Sequence, residues 1–503
     1  MTESPASASG KQNNHLPSRW EWSADEIKRV GYRVVDLIAE HLTNLPQRPV
    51  FRPFPSALAN QYLNASPPES GREADAILDT FAREIVPYPF GNGHPRFYGW
   101  VNSPPVVLGI FADALAAAMN PSCAGGNHAA IYVEREVINW FRQILGFPFG
   151  SMGLLVSGGS MAALTALAAA RHVQSGYDVR ARGLQDSAPR LTFYRTAEGH
   201  GCHQKAIEIL GIGNENLRIV PHDASLRMLP DALESKILED RERGYRPVAV
   251  IASAGTVNTG AIDPLDELRD VCSRHKVWLH VDAAYGGPAI LAKAYTQELS
   301  AISRADSVAL DPHKWLYVPV EAGLVLVRDG AHLRAAFSLV PPYLQTDGKT
   351  EGAAGLPWFS EYGFQQTRGF RALKIWMSLH YHGLSGYRAA IEHDIALARR
   401  LARSLTGSGR FEVFEPQGLS IVCFRYAPGG TDLSQDKLDD LNRAVLERIQ
   451  LGGRAFLSST VINDKFWLRA CIVNPRASDE DIDLLPKVIM EAGRSVVAAW
   501  PAK

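Results

Sequence analysis

The sequence predicts an α/β fold in which helices cover both faces of a mostly parallel sheet, followed by a smaller α+β domain. Between about residues 87 and 340, short apolar runs alternate with segments of helix length, and this alternation is typical of parallel sheets. The chain has 503 residues, more than one hydrophobic core usually supports. At least two domains are therefore expected.

Seven apolar runs are predicted to form the strands of the large sheet. They are residues 154–156, 191–194, 217–220, 248–251, 277–281, 307–310 and 323–327. A long helical region from Arg368 to about Thr406 follows, and strands at 420–424 and 466–470 belong to the smaller domain. The last helix begins near Ser478. In open α/β sheets the ligand lies beyond the carboxyl ends of the strands, so we expect the site there.

The first ordered element is predicted to begin at Ser23. Residues 23–26 form a capping box, and apolar residues follow at helical spacing until Pro46. Such a helix needs another domain or a second subunit to cover its apolar stripe. The predicted division is a disordered arm over 1–19, a helical dimerisation segment over 20–86, a large domain over 87–400 and a small domain over 401–503.

Composition limits the classes of function. The formal net charge is −1 and no run of Lys or Arg is present, which argues against binding to nucleic acid or to an anionic membrane. The longest apolar stretch, 106–119, is too short for a membrane span. Five cysteines without a Cys-x-x-Cys pair predict neither a disulfide framework nor a metal site. We expect a soluble, cytoplasmic protein.

The most informative pair of residues is Asp282, at the end of an apolar run, and Lys314, 32 positions later. A lysine amine can form a Schiff base with pyridoxal phosphate, and a carboxylate can keep the pyridine nitrogen protonated. The apolar neighbours of Lys314 predict a lowered pKa for its amine. The alternatives are a helix N-cap for Asp282 and a surface lysine for Lys314.

Two further segments fit the same cofactor. Gly158, Gly159 and Ser160 lie between a strand and an Ala-rich helix, where free N–H groups could bind a phosphate. A tight strand-to-helix turn is the alternative for these residues. His200 or His203 could stack on the cofactor ring, and spacing does not choose between them.

Residues 280–287 (HVDAAYGG) and 311–315 (DPHKW) resemble the signature of the group II pyridoxal-phosphate decarboxylases. That family includes the aromatic-L-amino-acid, histidine and glutamate decarboxylases. The resemblance extends from about Trp20 to the C-terminal helix. It implies a fold type I homodimer with an active site shared between subunits, in which the N-terminal helical segment wraps the partner and 87–400 bind the cofactor.

The resemblance also implies roles for individual residues. Tyr343, on a flexible loop, would return a proton to the substrate, and His200 is selected as the stacking residue. The implied catalytic residues are Lys314, His200, Tyr343 and Asp282. The implied cofactor-binding residues are Gly159, Ser160, His200, Thr256, Asp282, Ala284, Ser307, His313 and Lys314.

The implied substrate pocket departs from the family pattern. Trp100, Val101 and Ser103 stand where the aromatic decarboxylases have a Tyr-Phe-Pro-Thr run, and Ser122 and Ala124 stand where the partner subunit usually supplies Ile and Phe. We expect decarboxylation of an L-amino acid, most readily an aromatic one.

Four alternatives remain open. One is a decarboxylase of glutamate, aspartate or histidine. Another is an aldehyde synthase, a branch in which the loop tyrosine or the stacking histidine is commonly replaced. The others are a different pyridoxal-phosphate enzyme, such as an aminotransferase, and a cofactor-free binding protein.

Overall fold

The computed structural model describes residues 20–91, 93–184, 189–339, 358–429 and 433–499. These residues fall into two compact units. One contains residues up to Arg48 together with Arg52–Phe90, and the other contains Pro49–Phe51 and the chain from Gly91 onward. The predicted arm 1–19 and the predicted proton donor Tyr343 lie outside the described residues.

The N-terminal unit consists of three helices. They are α1 (Ala24–Asn44), α2 (Ser56–Leu63) and α3 (Ala74–Thr80), the last continuing as a π-helical turn through Ile85. The hydroxyl of Ser23 accepts a hydrogen bond from the backbone N–H of Glu26, so the predicted helix start is confirmed.

Charged side chains join α1 to α3. Arg33 donates to Asp75 at 2.5 Å and also pairs with Asp79, while Arg29 donates to Asp75 at 2.7 Å. The apolar stripe of α1 contributes little to this unit, because no residue of the helix is buried. Ile27 and Val34 of the predicted stripe are exposed, at 57% and 38%, and its other residues, Val30, Leu37, Ile38 and Leu42, are half-buried. The predicted stripe is therefore present, and no part of it is fully buried.

The larger unit contains the predicted sheet, whose seven strands all lie at the predicted positions. They are β1 (Met152–Val156), β2 (Leu191–Arg195), β3 (Leu217–Ile219), β4 (Arg246–Ser253), β5 (Trp278–Asp282), β6 (Ser307–Leu310) and β7 (Gly323–Val327). The strand order is β1-β7-β6-β5-β4-β2-β3. Pairing is parallel from β6 to β3, whereas β7 is antiparallel to both β1 and β6. The prediction of a mostly parallel sheet is confirmed.

Helices cover this sheet. They are α4 (Val107–Met119), α5 (Ala129–Ile144), α6 (Gly159–Gln174), α7 (Val179–Arg182), α8 (Gly201–Ile209), α9 (Pro230–Glu242), α10 (Leu265–Arg274), α11 (Thr296–Leu299), α12 (Gly330–Phe337) and α13 (Ala372–Gly407). Every residue of β2, β6 and β7 is buried, as expected for strands covered on both faces. Helix α6 lies against β4 to β7, and α9 packs against β4.

A second sheet of four antiparallel strands follows. Its strands are β8 (Phe411–Val413), β9 (Ile421–Tyr426), β10 (Ser458–Ile462) and β11 (Lys465–Cys471), in the order β10-β11-β9-β8. It forms its own hydrophobic core with α14 (Gln435–Leu451) and α15 (Asp479–Ala498). Leu397, Leu401 and Leu405 of α13 belong to that core, so the boundary predicted at 400 falls inside one helix. The proposed domain limits remain a prediction.

A buried ion pair fixes β1 to the helical layer. Arg368 and Glu134 form a bidentate pair in which both side chains are almost completely buried. Arg368 also donates to the carbonyl oxygens of Cys123 and Leu155, at 2.8 and 2.6 Å, and Glu134 accepts from the N–H of Leu155 at 3.1 Å. The two charges are therefore satisfied by each other and by backbone groups, as buried charges must be.

We expect Glu134→Ala to destabilise the protein by about 3–5 kcal/mol, because it leaves the guanidinium of Arg368 buried without a counter-charge. Thermal unfolding of the full chain measures the effect. The control is Arg454→Ala, which removes an ion pair with Glu491 that is half-exposed and is expected to cost less than about 1 kcal/mol. Equal unfolding midpoints for the two variants would contradict a structural role for the buried pair.

Candidate active site

Three parallel strands end side by side at the site. In the register of the sheet, Ser253 of β4 pairs with Asp282 of β5, which pairs with Ala309 of β6. The chain then continues from β6 directly into Asp311 and Lys314. Because parallel strands run in one direction, their carboxyl ends bring Asp282 and Lys314 to the same edge of the sheet, where the sequence predicted a ligand.

A cavity of about 310 Å³ opens at this edge. Nine of the predicted site residues line it: Val101, Gly159, Ser160, His200, Thr256, Asp282, Ala284, His313 and Lys314. The structure therefore brings together residues that are spread over more than two hundred positions of the chain.

The amine of Lys314 lies 2.9 Å from Oδ2 of Asp311. Burial acts to lower the pKa of Lys314, but the carboxylates of Asp311 and Asp282 outweigh burial, and the pKa is raised. The predicted lowered pKa is wrong, because the apolar neighbours in the sequence do not reveal the carboxylate three residues earlier. In the absence of a ligand Lys314 is therefore an ammonium ion.

Asp394, on α13, holds the segment that carries Lys314. Its Oδ2 accepts hydrogen bonds from Nε1 of Trp315 at 2.9 Å and from the hydroxyl of Tyr317 at 2.8 Å. Its Oδ1 accepts from the N–H of Asn474 at 3.2 Å. Asp394 is completely buried, and burial raises its pKa to about 7. One carboxyl group thus fixes the segment that directly follows the lysine.

Asp282 lies between two cationic groups. Its Oδ2 is 3.0 Å from Nε2 of the fully buried His203, and its Oδ1 accepts from the N–H of Ala284 at 3.1 Å. Burial acts to raise the pKa of Asp282, but His203 and Lys314 lower it well below the ordinary value. The same contact, with help from Cys202, raises the pKa of His203 despite its burial. Asp282 is therefore an anion at neutral pH, held in place by a buried imidazolium.

The two candidate stacking histidines occupy different places. His200 is the N-cap of α8, where its Nδ1 accepts from the N–H of Cys202 at 3.1 Å, and its exposed ring lines the cavity. His203, one turn later, lies behind Asp282 with no exposed surface. The structure therefore brings His200, and not His203, to the cavity wall.

The start of α6 forms part of the cavity wall. Gly158 adopts a positive φ of 151° and is followed by the first turn of the helix, and residues 157–161 line the cavity. A Cβ atom on Gly159 would lie 2.8 Å from Oδ2 of Asp311 and 3.2 Å from Cβ of Ala284. Only glycine leaves room at this position, as expected where a helix N-terminus binds an anionic group.

Ser307 is the one predicted cofactor ligand that the structure contradicts. It begins β6, and the site lies at the other end of that strand. Its hydroxyl accepts from Nε1 of Trp278 at 2.8 Å and pairs with Nδ1 of His280 at 2.9 Å. It does not line the cavity. The resemblance implied that Ser307 binds the cofactor, but its depth in the sheet places it away from the cavity.

Only some of the predicted substrate residues line the cavity. Val101 lines the cavity, whereas Trp100 contacts Phe456 and Ser103 donates to the carbonyl oxygen of His313 at 3.1 Å. Ser122 and Ala124 do not line this cavity. Their predicted role is in the active site of a partner subunit, and it remains a prediction.

The sequence analysis did not identify two cavity residues with ionisable side chains, Cys202 and Asp311. Burial raises the pKa of the Cys202 thiol, but His200 and His203 outweigh it, and the pKa is lowered. Asp311 is buried, and its Oδ1 has no hydrogen-bond partner among the described residues. Both residues stand beside predicted ones in the sequence, two positions after His200 and three before Lys314, and that proximity is the signal that could have found them.

Comparisons with known proteins agree with this geometry. The model of the pyridoxal-dependent decarboxylase conserved domain matches residues 55–427. The chain belongs to this family. It is a pyridoxal-phosphate-dependent amino-acid decarboxylase, and the predicted family and cofactor are confirmed.

Three relatives illustrate the range of the family. An aromatic-L-amino-acid decarboxylase of Bacillus atrophaeus is 36% identical over 482 residues, covering 95% of this chain and 98% of that protein. A phenylacetaldehyde synthase of Arabidopsis thaliana is 28% identical, covering 93% and 96%. A crystal structure of Oryza sativa TDC with PLP and tryptamine has a TM-score of 0.87 at 26% identity, covering 94% of this chain and 99% of that one.

The donor groups of the cavity fit the cofactor. Lys314 offers an amine to the aldehyde, Asp282 a carboxylate to the pyridine nitrogen, and the first turn of α6 with Ser160 offers N–H and hydroxyl groups to the phosphate. The carboxylate of Asp311 lies near the phosphate end, where it would repel an anion. Before the cofactor binds, the ammonium of Lys314, 2.9 Å away, balances the charge of this carboxylate.

The raised pKa of Asp394 predicts a specific dependence of stability on pH. The folded protein keeps this proton up to about pH 7, whereas an unfolded chain releases it near pH 4, so its contribution to stability falls as the pH rises between those values. Asp394→Asn removes the titration. We expect the unfolding midpoint of the wild type, measured relative to this variant, to fall from pH 5 to pH 7 and to be constant above pH 7.5.

The full contribution corresponds to at most about 4 kcal/mol. Asp464→Asn, at an exposed hairpin position, is the control and should follow the wild type at every pH. A midpoint difference between wild type and Asp394→Asn that is the same at pH 5 and pH 8 would contradict the assignment.

Proposed function

We propose that the protein decarboxylates an aromatic L-amino acid to its amine, with Lys314, Asp282, His200 and Tyr343 as catalytic residues. The observation that carries the proposal is that Lys314, Asp282 and the N-terminus of α6 all line one cavity. These are the three anchors that pyridoxal phosphate requires: an amine, a carboxylate and an anion site.

When bound, pyridoxal phosphate supplies an electron sink for the electron pair that remains after carbon dioxide leaves. Asp282 holds a proton at the pyridine nitrogen, and His203 keeps that carboxylate ionised and oriented. His200 and Ala284 both line the cavity, and they would hold the ring from its two faces.

Lys314 must lose a proton before its amine can act as a nucleophile. Asp311 is the acceptor within reach, since its Oδ2 lies 2.9 Å from the amine. Whenever the amine of Lys314 is free, it lies beside this carboxylate and could exchange protons with it. Tyr343 is proposed to deliver the last proton, to the α-carbon of the substrate.

The lining of the cavity supports an aromatic substrate over an acidic one. Apart from Lys314 and two histidines, the described residues that line it offer no cationic side chain for a second carboxylate. Val101, Met161 and Val257 provide apolar surface. The Bacillus atrophaeus relative, named for aromatic L-amino acids and 36% identical, supports the same choice.

An aldehyde synthase is the second candidate function. The Arabidopsis thaliana phenylacetaldehyde synthase, alignable over 93% of this chain, gives this alternative specific support. The presence of both Tyr343 and His200 favours the amine as product, since the resemblance associates the synthase branch with replacement of one or the other.

We also propose a homodimer in which residues 20–86 bind the partner, 87–400 bind the cofactor and 401–503 form the small domain. The partly exposed apolar stripe of α1 supports this arrangement, because no residue of the helix is buried in one chain. A cytoplasmic location is supported by five cysteines that are all buried and free. Among the described residues, none of the helices combines the length and the apolar character of a membrane span.

The first experiment identifies the substrate. We expect purified enzyme to release carbon dioxide and amine in equal amounts from phenylalanine, tyrosine, tryptophan or a hydroxylated aromatic amino acid, and not from glutamate or aspartate. Lys314→Ala is the control, and it should lower the rate at least about a thousandfold, or ~4 kcal/mol in the barrier. Turnover of glutamate alone would overturn the proposed substrate class while leaving decarboxylation intact.

The second experiment concerns Tyr343. Tyr343→Phe keeps the aromatic ring and removes the acidic hydroxyl, so we expect amine formation to slow by about 10²–10⁴-fold, the usual contribution of a general acid. In air, aldehyde, ammonia and hydrogen peroxide should appear instead, with oxygen consumed. Amine at the wild-type rate with no aldehyde would remove Tyr343 from the mechanism, and His200 would become the next candidate donor.

A further inference from the structure

Three potential metal ligands converge behind the cofactor cavity. The Sγ atom of Cys202, one ring nitrogen of His203 and one carboxylate oxygen of Asp282 all lie within 4.8 Å of one another. Cys202 and His203 are adjacent in α8, and Asp282 ends β5. The cluster is therefore formed by the packing of a helix end against a strand end and not by a sequence motif.

The imidazole of His203 is the second observation that points to a ligand. It has no exposed surface, and its Nδ1 has no hydrogen-bond partner among the described residues. Its Nε2 lies 3.0 Å from Oδ2 of Asp282 but does not make a regular hydrogen bond. Incompletely satisfied nitrogens on a buried ring are costly, and a bound zinc ion would replace a proton of the His203 ring, which is released to solvent, and give that nitrogen a partner.

The donor set is one that zinc prefers. Thiolate, imidazole and carboxylate bind Zn²⁺ at about 2.3, 2.0 and 2.1 Å in tetrahedral sites, which places ligand atoms roughly 3–4 Å apart. Atoms already within 4.8 Å reach that geometry with small side-chain rotations. Cys202 and Asp282 also line the cavity, so the fourth coordination position faces solvent. The site resembles an open zinc site and not a closed structural one.

We propose that the cofactor-free protein binds one Zn²⁺ through Cys202, His203 and Asp282, and that zinc and pyridoxal phosphate exclude each other. The exclusion rests on the proposed function, since it requires that Asp282 hold the pyridine nitrogen. A zinc ion on Asp282 would withdraw the negative charge that is needed to hold the proton of the pyridine nitrogen, and it would place a divalent cation beside that proton. Zinc would therefore compete with the cofactor for binding to the cofactor-free protein. The enzyme that already carries the cofactor would bind zinc weakly.

Titration of the full-length, cofactor-free protein with Zn²⁺, followed by equilibrium dialysis and metal analysis, tests the site without measuring activity. We expect one ion per chain. Substitution of Co²⁺ should give the visible spectrum of a tetrahedral ion together with a near-ultraviolet cobalt–thiolate charge-transfer band. Cys202→Ser should abolish that band and weaken zinc binding at least about tenfold.

Cys272→Ser is the matched control, because Cys272 is another buried thiol, in α10, and is not part of the cluster. It should bind zinc as the wild type does. His203→Gln provides a second ligand variant, and circular dichroism of each variant verifies folding. A stoichiometry below one, or a cobalt spectrum unchanged in Cys202→Ser, would overturn the metal site.

The loaded enzyme tests the exclusion separately. We expect pyridoxal phosphate to reduce zinc uptake at the cluster at least tenfold, with the visible absorbance of the lysine-bound cofactor as the measure of loading. If zinc binds the free and loaded proteins equally well, exclusion is wrong and so is the assignment of Asp282 to the pyridine nitrogen. The metal site itself would stand in that case, so the two failures are distinguishable.

Discussion

The parallel register of β4, β5 and β6 is the constraint on which the rest of the structure depends. It sets the ends of three strands at one depth, so that Asp282, Asp311 and Lys314 meet although 32 residues separate the first from the last. A slip of one residue would turn Asp282 to the opposite face of the sheet. The buried bonds of Ser307 with Trp278 and His280 oppose such a slip, since they join the same strands below the site.

Much of the fold could be predicted from the sequence because its signals are local. Apolar runs marked all seven strands of the large sheet, and a capping box marked the start of α1. The antiparallel direction of β7 could not be predicted, since the direction of a strand depends on where its partners lie. The sequence also did not show that α13 extends into the second hydrophobic core, because this one helix supplies leucines to both cores.

The site was predictable where a residue type is unusual in its surroundings, as with Asp282 and Lys314. It was not predictable where the property depends on a neighbour in space. The pKa of Lys314 depends on its burial and on the carboxylates of Asp311 and Asp282. The role that the resemblance implied for Ser307 failed because the depth of a residue in the sheet is visible only in the structure. Cys202 and His203 form a cluster with Asp282, and the spacing of these residues in the sequence does not predict that cluster.

Charges alternate across the site, from Asp311 to Lys314, Asp282 and His203. Each anion has a cation beside it, at 2.9 Å for the first pair and 3.0 Å for the last. Such an order keeps the net charge of the cavity small while leaving strong local fields at each atom that must bind or move a proton. A ligand that brings an amine and an anionic group into this series forms ion pairs in place of those that already exist. The side chains of the cavity therefore need little reorganisation.

The small side chains of α6 limit the substitutions that this helix can tolerate. Five alanines of the helix are almost completely buried against the sheet and its neighbours, at positions 162, 163, 166, 169 and 170. Larger residues there would force the helix away from β4 to β7, and its first turn would move with it. Substitutions are thus tolerated on the exposed surface of α9 or α14, whereas these five positions of α6 are confined to the smallest side chains, although the helix contributes only its first turn to the cavity.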